Sequence, residues 1–325
     1  MAAYTTIDDP SGIFTVNLYS GNATNGTTIS TGHTNDLIWT KGRAGTYGGR
    51  GLRIIDSVRG ATKVLYGDQD LAEGTNNSSS GVTGFGSTDY TIGGDADFNG
   101  ASSTYVSWTW KIQAGVCDIQ TYTGNGSART ISHNLGVVPK MMIIKKRNTA
   151  APWSVGHASL GANQVLELDV TDAVATDNSY WNNTRPTSSV FTVGTDGNQN
   201  TDGHTYLIYL FGNKQGVSKM GNYTGNANAD GEFIYTGFKP RWIMIKGTNI
   251  ARNWGINDTK RSPINQTQDS LYANVADAET ASGNYIDFLS NGFKLRDTAL
   301  TMNGAYNYIY MAFAENPFVT STGVP

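Results

Sequence analysis

The sequence is poor in the residues that build disulfide-stapled domains or membrane spans. It contains one cysteine, Cys117, among 325 residues, which excludes an internal disulfide framework and a zinc site built on several cysteines. No segment approaches the run of about 18 apolar residues that a transmembrane helix needs. The N-terminal stretch carries Asp8 and Asp9 where a secretory signal would place a basic and then an apolar run. We therefore expect neither membrane insertion nor conventional export.

Charged residues are also scarce, at 15% of the chain, and the formal net charge is −3. A pI near 5.8 argues against a nucleic-acid-binding or anionic-membrane-binding surface. In contrast, the chain is rich in serine, threonine and asparagine and contains 39 glycines and 17 tyrosines, a composition typical of turn-rich β-structure. The sequence thus predicts an all-β fold, with at most one or two helical turns near Ala173 and Val275.

Four landmarks recur three times along the chain in the same order. They are a Tyr-Ser/Thr-Gly-Asn motif, an apolar run that ends in lysine, an aromatic-x-apolar triplet and an aromatic strand. The motifs begin at Tyr19, Tyr122 and Tyr223, the lysines are Lys41, Lys145 and Lys246, the triplets begin at Tyr90, Phe191 and Phe293, and the strands begin at Thr104, Thr205 and Asn307. The spacing of about 101–104 residues is too long for a solenoid rung and suits a complete β-sandwich.

The repeat predicts three tandem antiparallel β-sandwich domains of jelly-roll-like form. The repeats are residues 14–112, 117–215 and 218–317, which we name unit 1, unit 2 and unit 3, with an N-terminal attachment arm at 1–13 and a C-terminal tail at 318–325. We expect three sandwiches in a row, each with its own core. The joints between them are short, so they should stack with restricted freedom.

The aromatic strands indicate where the cores lie. In TYLIYLF of unit 2, alternation places Tyr206, Ile208 and Leu210 on one side and Leu207, Tyr209 and Phe211 on the other. Apolar residues on both sides favour a strand at the centre of a sheet, or one whose outer face packs against a neighbouring unit. The corresponding aromatics Trp108, Trp110 and Phe313 are predicted core residues.

Several long motifs resemble a domain repeated in virion proteins of tailed bacteriophages, especially marine and cyanobacterial ones. In unit 2 they are YTGNGSARTISHNLGVVPKMMIIKKR from Tyr122, SYWNNTRPTSSVFTVG from Ser179 and DGHTYLIYLF from Asp202; in unit 3 they are YTGFKPRWIMIK from Tyr235, DFLSNGFKL from Asp287 and YIYMAFAENPF from Tyr308. This domain occurs in tail-fibre-like and other appendage proteins. The resemblance implies a structural or adhesive virion component and supplies no catalytic residues.

The function expected from this resemblance is that of a non-enzymatic virion structural protein, a tail-fibre-like appendage for assembly and host-surface attachment. It would be made in the host cytoplasm and exposed on the particle, without a cofactor. Its partners would be other virion proteins, further copies of the chain in a homotrimer and a host surface glycan. Virion attachment is assigned to Tyr4, Asp8, Asp9 and Pro10. The alternatives are a capsid-surface fibre or decoration protein and a polysaccharide-degrading spike component.

Glycan recognition calls for an aromatic ring that stacks on a sugar and for asparagine or aspartate side chains that bond its hydroxyls. Unit 2 offers Trp153, Tyr180, Trp181, Asn182 and Asn183 as candidates. The alternative is that Trp181 caps a sandwich core, since large aromatics usually bury most of their surface.

Catalytic and metal-binding patterns are weaker. Hydrolysis of polysaccharides would need paired carboxylates, and Asp56, Asp68, Asp70 and Glu73 of unit 1 are better interpreted as loop acids. His157 with Ser159 lacks an orienting acid for nucleophilic catalysis. A polar turn with Asp95, Asp97 and Asn99 resembles the first half of a calcium loop but lacks the bidentate glutamate. The basic cluster of Lys140, Lys145, Lys146 and Arg147 predicts a solvated strand end or a subunit salt bridge.

Overall fold

The computed structural model describes residues 5–281, 283 and 285–319. Within this part of the chain the fold is all-β and antiparallel, as predicted, apart from a 3-10 helix at Pro10–Gly12 and two single-turn helices, α1 (Asn178–Trp181) and α2 (Gly197–Asn200). α1 lies where a helical turn is expected, whereas no helix follows Val275 in the described residues and α2 is not foreseen. None of these helices has the length or hydropathy to cross a membrane.

The strands follow one another with similar spacing in the three units. Unit 1 contains β1 (Phe14–Ser20), β2 (Thr27–Ser30), β3 (Leu37–Gly45), β4 (Arg53–Asp56), β5 (Lys63–Tyr66), β6 (Gly74–Thr75), β7 (Val82–Phe85), β8 (Asp89–Ile92) and β9 (Ser103–Trp110). Unit 2 contains β10 (Cys117–Thr123), β11 (Arg129–Ser132), β12 (Met141–Lys146), β13 (Ser154–His157), β14 (Gln164–Glu167), β15 (Ala175–Thr176), β16 (Val190–Val193) and β17 (Thr205–Phe211). Unit 3 contains β18 (Ser218–Thr224), β19 (Phe233–Tyr235), β20 (Phe238–Gly247), β21 (Gly255–Asp258), β22 (Leu271–Tyr272), β23 (Ile286–Leu289), β24 (Gly292–Leu295) and β25 (Asn307–Pro317).

Each unit consists of one large and one small antiparallel sheet. The large sheets have the strand orders β1-β9-β3-β4-β5-β6, β10-β17-β12-β13-β14-β15 and β18-β25-β20-β21-β22. The last strand of each unit therefore pairs with its first strand on one side and with the lysine-terminated strand on the other. The small sheets are β2-β8-β7, β11-β16 and β19-β24-β23.

A separate apolar cluster fills the space between the large and the small sheet of each unit. In unit 1 it joins Ile38 and Ile55 of the large sheet to Ile29 and Tyr90 of the small one. Units 2 and 3 have equivalent clusters. Each unit is thus a two-layer sandwich, with one face of the large sheet buried against the small sheet.

The opposite faces of the three large sheets meet in a single central core, and the expectation that each unit keeps to its own core is wrong in this respect. This core contains six of the seven tryptophans, together with residues such as Val106, Leu207 and Ile309 from the three units. Alternation in β17 shows the cause. Tyr206, Ile208 and Leu210 enter the sandwich cluster of unit 2, while Leu207, Tyr209 and Phe211 enter the central core.

The three units close into a ring rather than a row. Trp110 ends β9, Phe211 ends β17, and Phe313 holds the same position of the repeat inside the longer β25. The three rings touch one another, with centroid separations of 6.2 Å for Trp110–Phe211, 5.5 Å for Trp110–Phe313 and 6.1 Å for Phe211–Phe313. The predicted core aromatics Trp108, Trp110 and Phe313 are confirmed. Burying so many large rings at one axis supplies a strong apolar contribution to ring closure.

The lysine that ends each apolar run connects its unit to a neighbour. Lys41 Nζ donates to Val275 O of unit 3 at 2.6 Å, and Lys145 Nζ donates to Asp70 O of unit 1 at 2.7 Å. Lys246 Nζ completes the set by donating to Thr171 O of unit 2 at 2.7 Å. Burial lowers the pKa of each of these three lysines to about 8, because desolvation disfavours the charged form.

Two of the three contacts between units contain the same buried ion network. Between units 1 and 2, Arg59 Nε donates to Asp56 at 2.6 Å and Nη1 donates to Glu73 at 3.2 Å. Glu73 also pairs with Arg147 at 2.8 Å, and the Tyr209 hydroxyl donates to Asp56 at 2.8 Å. We name this set the 1–2 network. Of the basic cluster, Arg147 forms its ion pair with Glu73 within the chain. Lys145 and Lys146 are buried, so the predicted solvated strand end is wrong for these two residues, and a salt bridge between subunits stays a prediction.

Between units 3 and 1, Arg261 donates to Asp258 at 2.6 Å and to Glu279 at 3.0 Å. Arg43 pairs with Glu279 at 2.7 Å, and Trp108 Nε1 donates to Asp258 at 3.1 Å. Between units 2 and 3 the corresponding residues are His157, Leu160, Val174 and Thr248, so among the described residues this third contact has no counterpart of these ion pairs. The ring is therefore threefold in its backbone and asymmetric in its chemistry.

Candidate functional site

The best-defined concave site lies on unit 2, where a pocket of about 220 Å³ opens between β12, β13 and the segment that follows α1. Its wall combines apolar and cationic side chains. The residues that carry the argument are Pro139, Lys140, Met142, Gly156, Trp181 and Arg185. We name it the unit 2 pocket.

Gly156 gives the Trp181 indole its place beside the sheet. A Cβ at Gly156 would lie 2.9 Å from Trp181 Cζ2, closer than side chains pack, and 3.1 Å from the Met142 methyl carbon, a tight contact. The equivalent sheet positions are filled by Ile55 in unit 1 and Asn257 in unit 3. The space is thus a feature of unit 2.

The segment around α1 places Trp181 and two asparagines at the rim. Asp177 caps the helix by accepting from Ser179 N at 2.8 Å, a standard role for aspartate at this position. Asn182 and Asn183 then adopt left-handed φ angles of 51° and 46°, which asparagine tolerates better than most residues. The turn therefore reverses the chain next to the pocket and leaves both asparagine side chains exposed.

Trp181 is 3% exposed and belongs to the sandwich cluster of unit 2. Its Nε1 donates to Gln164 O at 3.1 Å, while its ring also lines the pocket. The interpretation of Trp181 as a core residue is thus confirmed, and its contact with a sugar stays a prediction. Tyr180 is packed beside it, with its hydroxyl accepting from Asn198 Nδ2 at 3.2 Å, and burial raises the pKa of Tyr180.

Trp153 does not join this group. It is fully buried in the central core, and its Nε1 donates to Tyr66 O of unit 1 at 2.9 Å. The prediction that Trp153 contacts a sugar is therefore corrected, because the ring has no face open to solvent. It connects units 1 and 2, as Trp254 connects units 2 and 3 by donating to Glu167 O at 2.9 Å.

Two cations, Lys140 and Arg185, line the pocket without a carboxylate among its lining residues. Within the described part of the chain neither forms an ion pair, although an Arg185 Nη2 donates to Leu160 O. Burial is the main cause that lowers the pKa of the neighbouring His157 to about 4, and the positive charges of Arg185 and Lys140 contribute to this lowering. His157 Nδ1 accepts from Ser159 N at 3.1 Å, which is the bond of a neutral imidazole.

The unit 1 carboxylates lie at structural contacts. Asp56 and Glu73 belong to the 1–2 network, and Asp68 pairs with Arg53 at 3.1 Å. Burial acts to raise the pKa of Glu73, but its bonds to Arg147 and Arg59 outweigh it and hold the pKa below the usual range. A general acid needs the opposite shift. Asp70 contributes its backbone oxygen to Lys145.

The polar turn of unit 1 is held together by its own hydrogen bonds. Asp95 accepts from Gly81 N at 2.6 Å and from Asp97 N at 3.0 Å, and Asp97 accepts from Arg53 Nε at 3.0 Å. Asn99 is fully buried and donates to Gly93 O at 3.0 Å. No cluster of three histidine, cysteine or acidic side chains suited to a metal occurs in the described residues, and the bonds made here are those of a structured turn.

Three of the four predicted attachment residues, Asp8, Asp9 and Pro10, are described and come just before β1 of unit 1. Tyr4 lies outside the described residues. Asp8 and Asp9 are exposed, and Pro10 is buried at the start of the 3-10 helix. Asp9 accepts from Ser11 N at 2.9 Å, and hydrogen bonds from the side chain and the backbone of Ser11 lower the pKa of Asp9. The described part of the predicted arm thus packs on the ring, and Phe14 stacks on Phe313 of unit 3 at 4.9 Å.

Sequence reasoning found Trp181 and its asparagines but missed how the pocket is formed. Lys140 was recognisable only as part of a basic cluster, and Gly156, Met142 and Arg185 gave no separate signal. The run Trp-Asn-Asn-Thr-Arg-Pro from Trp181 was the available clue, since it places a cation four residues after the indole.

Comparison with other proteins places this architecture in a family. No curated protein matches the chain. A family model described as "Domain of unknown function (DUF7483)" matches residues 9–317, a stretch that runs through all three units of the ring. The chain therefore belongs to the DUF7483 family.

Proposed function

We propose that this chain is a non-enzymatic virion structural protein, a tail-fibre-like appendage that takes part in particle assembly and in attachment to the host surface. The observation that carries the attachment role is the unit 2 pocket, in which an indole ring, two cations and neighbouring exposed asparagines meet at the surface of the ring. The sequence resemblance to appendage proteins of tailed bacteriophages supplies the biological setting.

The ring suits a load-bearing appendage. Its units are joined by buried aromatic contacts, lysine-to-carbonyl bonds and two ion networks. Interfaces with buried, mutually bonded side chains resist relative motion better than short flexible tethers do. A binding site on such a scaffold keeps its geometry when the particle collides with a cell.

The second candidate is a purely structural role as a capsid-surface fibre or decoration protein. It is favoured by the many buried lysines, arginines and carboxylates that bond one unit to another. The carboxylate arrangement gives no comparable support to polysaccharide hydrolysis, since Asp56, Asp68 and Glu73 each pair with an arginine. The partners proposed are other virion proteins, a host surface glycan and further copies of this chain.

Cryo-electron microscopy of the intact particle tests this function. We expect the ring in a tail appendage, with the unit 2 pocket facing outward and the segment near Asp8 to Pro10 turned toward another virion protein. A ring bound to the capsid lattice with the pocket covered would refute the attachment role and favour decoration. The same map gives the number of chains in each appendage and so checks the proposed homotrimer.

A further inference from the structure

We propose that the unit 2 pocket binds a single hexose ring that carries an anionic group, such as a uronate. The inference rests on the attachment function proposed above and names the class of ligand that the site selects. It follows from the size of the pocket, its wall, its charge and its restriction to one unit.

The volume sets the size of the ligand. About 220 Å³ is below the range of roughly 300–1,000 Å³ that holds drug-sized molecules. A space of this size accommodates one six-membered ring with its substituents and leaves the rest of a glycan chain outside. A terminal or side-branch sugar therefore fits better than the interior of an extended polymer.

The wall suits the apolar face of a sugar. The Trp181 ring, Met142, Pro139 and Pro186 supply an apolar surface, and Val138 at the mouth is 40% exposed. Aromatic and aliphatic walls with a few polar groups are the usual composition of small-molecule sites.

The charge favours an anion. Elsewhere in this chain many arginines have carboxylate partners: Arg43, Arg50, Arg53, Arg59, Arg147, Arg261 and Arg296 all form ion pairs. Arg185 and Lys140 form none among the described residues, and no acid lines the pocket. Two cations at one concave site raise the local concentration of anionic ligands and form charge-assisted hydrogen bonds with them.

The other units lack this combination. The position of Lys140 is taken by Asp36 in unit 1 and by Arg241 in unit 3, and the position of Gly156 is taken by Ile55 and Asn257. In unit 1 the stretch corresponding to α1, residues 78–81, has no aromatic side chain. Only unit 2, within the described residues, brings together a cation, an opened strand position and an indole.

Binding to the full chain can be followed through the indole N–H of Trp181 in a nitrogen–proton correlation spectrum, assigned with Trp181→Phe. The probes are glucuronate, glucose 6-phosphate, glucose and acetate. We expect glucuronate or glucose 6-phosphate to shift this signal with millimolar affinity, at least tenfold more tightly than glucose or acetate, and to bind more weakly as salt rises. Whichever of the two charged sugars binds more tightly identifies the anionic group.

Lys140→Gln and Arg185→Gln should each weaken glucuronate binding by about tenfold. Arg241→Gln, at the matching position of unit 3, should leave it unchanged. Because Arg185 also bonds Leu160 O, Lys140→Gln decides the matter if the Arg185 variant melts at a lower temperature than the parent chain.

Equal binding of glucose and glucuronate would overturn the role of charge, and acetate binding as tightly as glucuronate would overturn the role of the sugar ring. Absence of any shift up to tens of millimolar ligand would overturn the site itself. These failures are separate from failure of the proposed function. A chain located in a tail appendage that ignores all four probes refutes only the pocket, whereas a capsid location refutes the attachment role whatever the pocket binds.

Discussion

Replacing Arg59 with leucine tests whether the 1–2 network stabilises the ring as its geometry indicates. Both Arg59 and Asp56 have side chains that are 0% exposed. The change removes the 2.6 Å contact from Arg59 Nε to Asp56 and the 3.2 Å contact to Glu73. It also leaves Ile54 O without its bond from Arg59 Nη2, at 3.0 Å. Asp56 keeps the Tyr209 hydroxyl as a donor.

The expected loss follows from the buried charge that stays behind. Removing one partner of a buried ion pair costs about 3–5 kcal/mol, because the other charge remains desolvated without compensation. We therefore expect Arg59→Leu to lower the free energy of unfolding by about 3–5 kcal/mol. Urea denaturation followed by tryptophan fluorescence measures this quantity, since six indoles lie in the central core.

The chain itself supplies the control. The contact between units 2 and 3 contains His157, Leu160, Val174 and Thr248 at the positions of Asp56, Arg59, Glu73 and Arg147. The fourfold variant Asp56→His, Arg59→Leu, Glu73→Val and Arg147→Thr transfers this set and leaves no unpaired charge. It should recover most of the stability lost by Arg59→Leu. A loss below about 1 kcal/mol for the single change, or a fourfold variant no more stable than it, would refute the reasoning.

Three further predictions concern single sites. The pKa of Lys145 is about 8 in the folded chain and near 10.4 when unfolded, so the unfolded state binds more protons between these pH values. The free energy of unfolding should therefore rise from pH 8 to 9, and it should rise less steeply in Lys145→Met. Urea titration at each pH measures both slopes. Cys117 is buried with its pKa raised well above normal by burial, so iodoacetamide should leave it unmodified by mass spectrometry until urea unfolds the chain; labelling of the native chain would contradict this. In Asn200→Asp a carboxylate would face the carbonyls of Ser127 and Gly194, both 2.7 Å from Asn200 Nδ2. The free energy of unfolding should fall by about 1–3 kcal/mol in the same urea assay. The exposed Asn183→Asp is the control and should leave it unchanged.

The fold class was predictable from the sequence because it rests on local signals. Glycine and asparagine turns, tyrosine-rich strands and the absence of helical periodicity all point to antiparallel β-structure. Alternation in β17 also identified which of its residues share a face. The two apolar faces showed that the strand is covered on both sides.

The sequence did not reveal what covers the second face. A row of sandwiches and a closed ring place the same residues on the same faces, and they differ in which unit meets which. That choice depends on long-range partners such as Trp110 with Phe313, or Lys41 with Val275, which no local pattern encodes. Arginine–carboxylate pairs more than 70 residues apart, such as Arg147 with Glu73, belong to the same category.

The candidate site was half predictable. An indole followed by two asparagines is a recognisable signal, and Trp181 does line a pocket. Trp153 is an equally good candidate by residue type, yet it lies at the centre of the molecule, because burial of an aromatic ring depends on tertiary packing. Gly156 contributes by having no side chain where Trp181 and Met142 pack, and this role becomes visible only when the neighbouring strand and helix are in place.

Covalent continuity gives the ring a property that an assembly of separate subunits lacks. Association of the three units is a unimolecular event, so dilution does not dissociate them as it would an oligomer. Each unit can also acquire substitutions that the other two do not share. In a trimer of identical chains, a glycine that makes room for an indole would occur three times, together with any loss of packing. Here Gly156 changes unit 2 alone, while Ile55 and Asn257 keep side chains at the same position of the other units. A chain of three repeated units can thus keep a stable threefold ring while a single proposed recognition site on one unit varies.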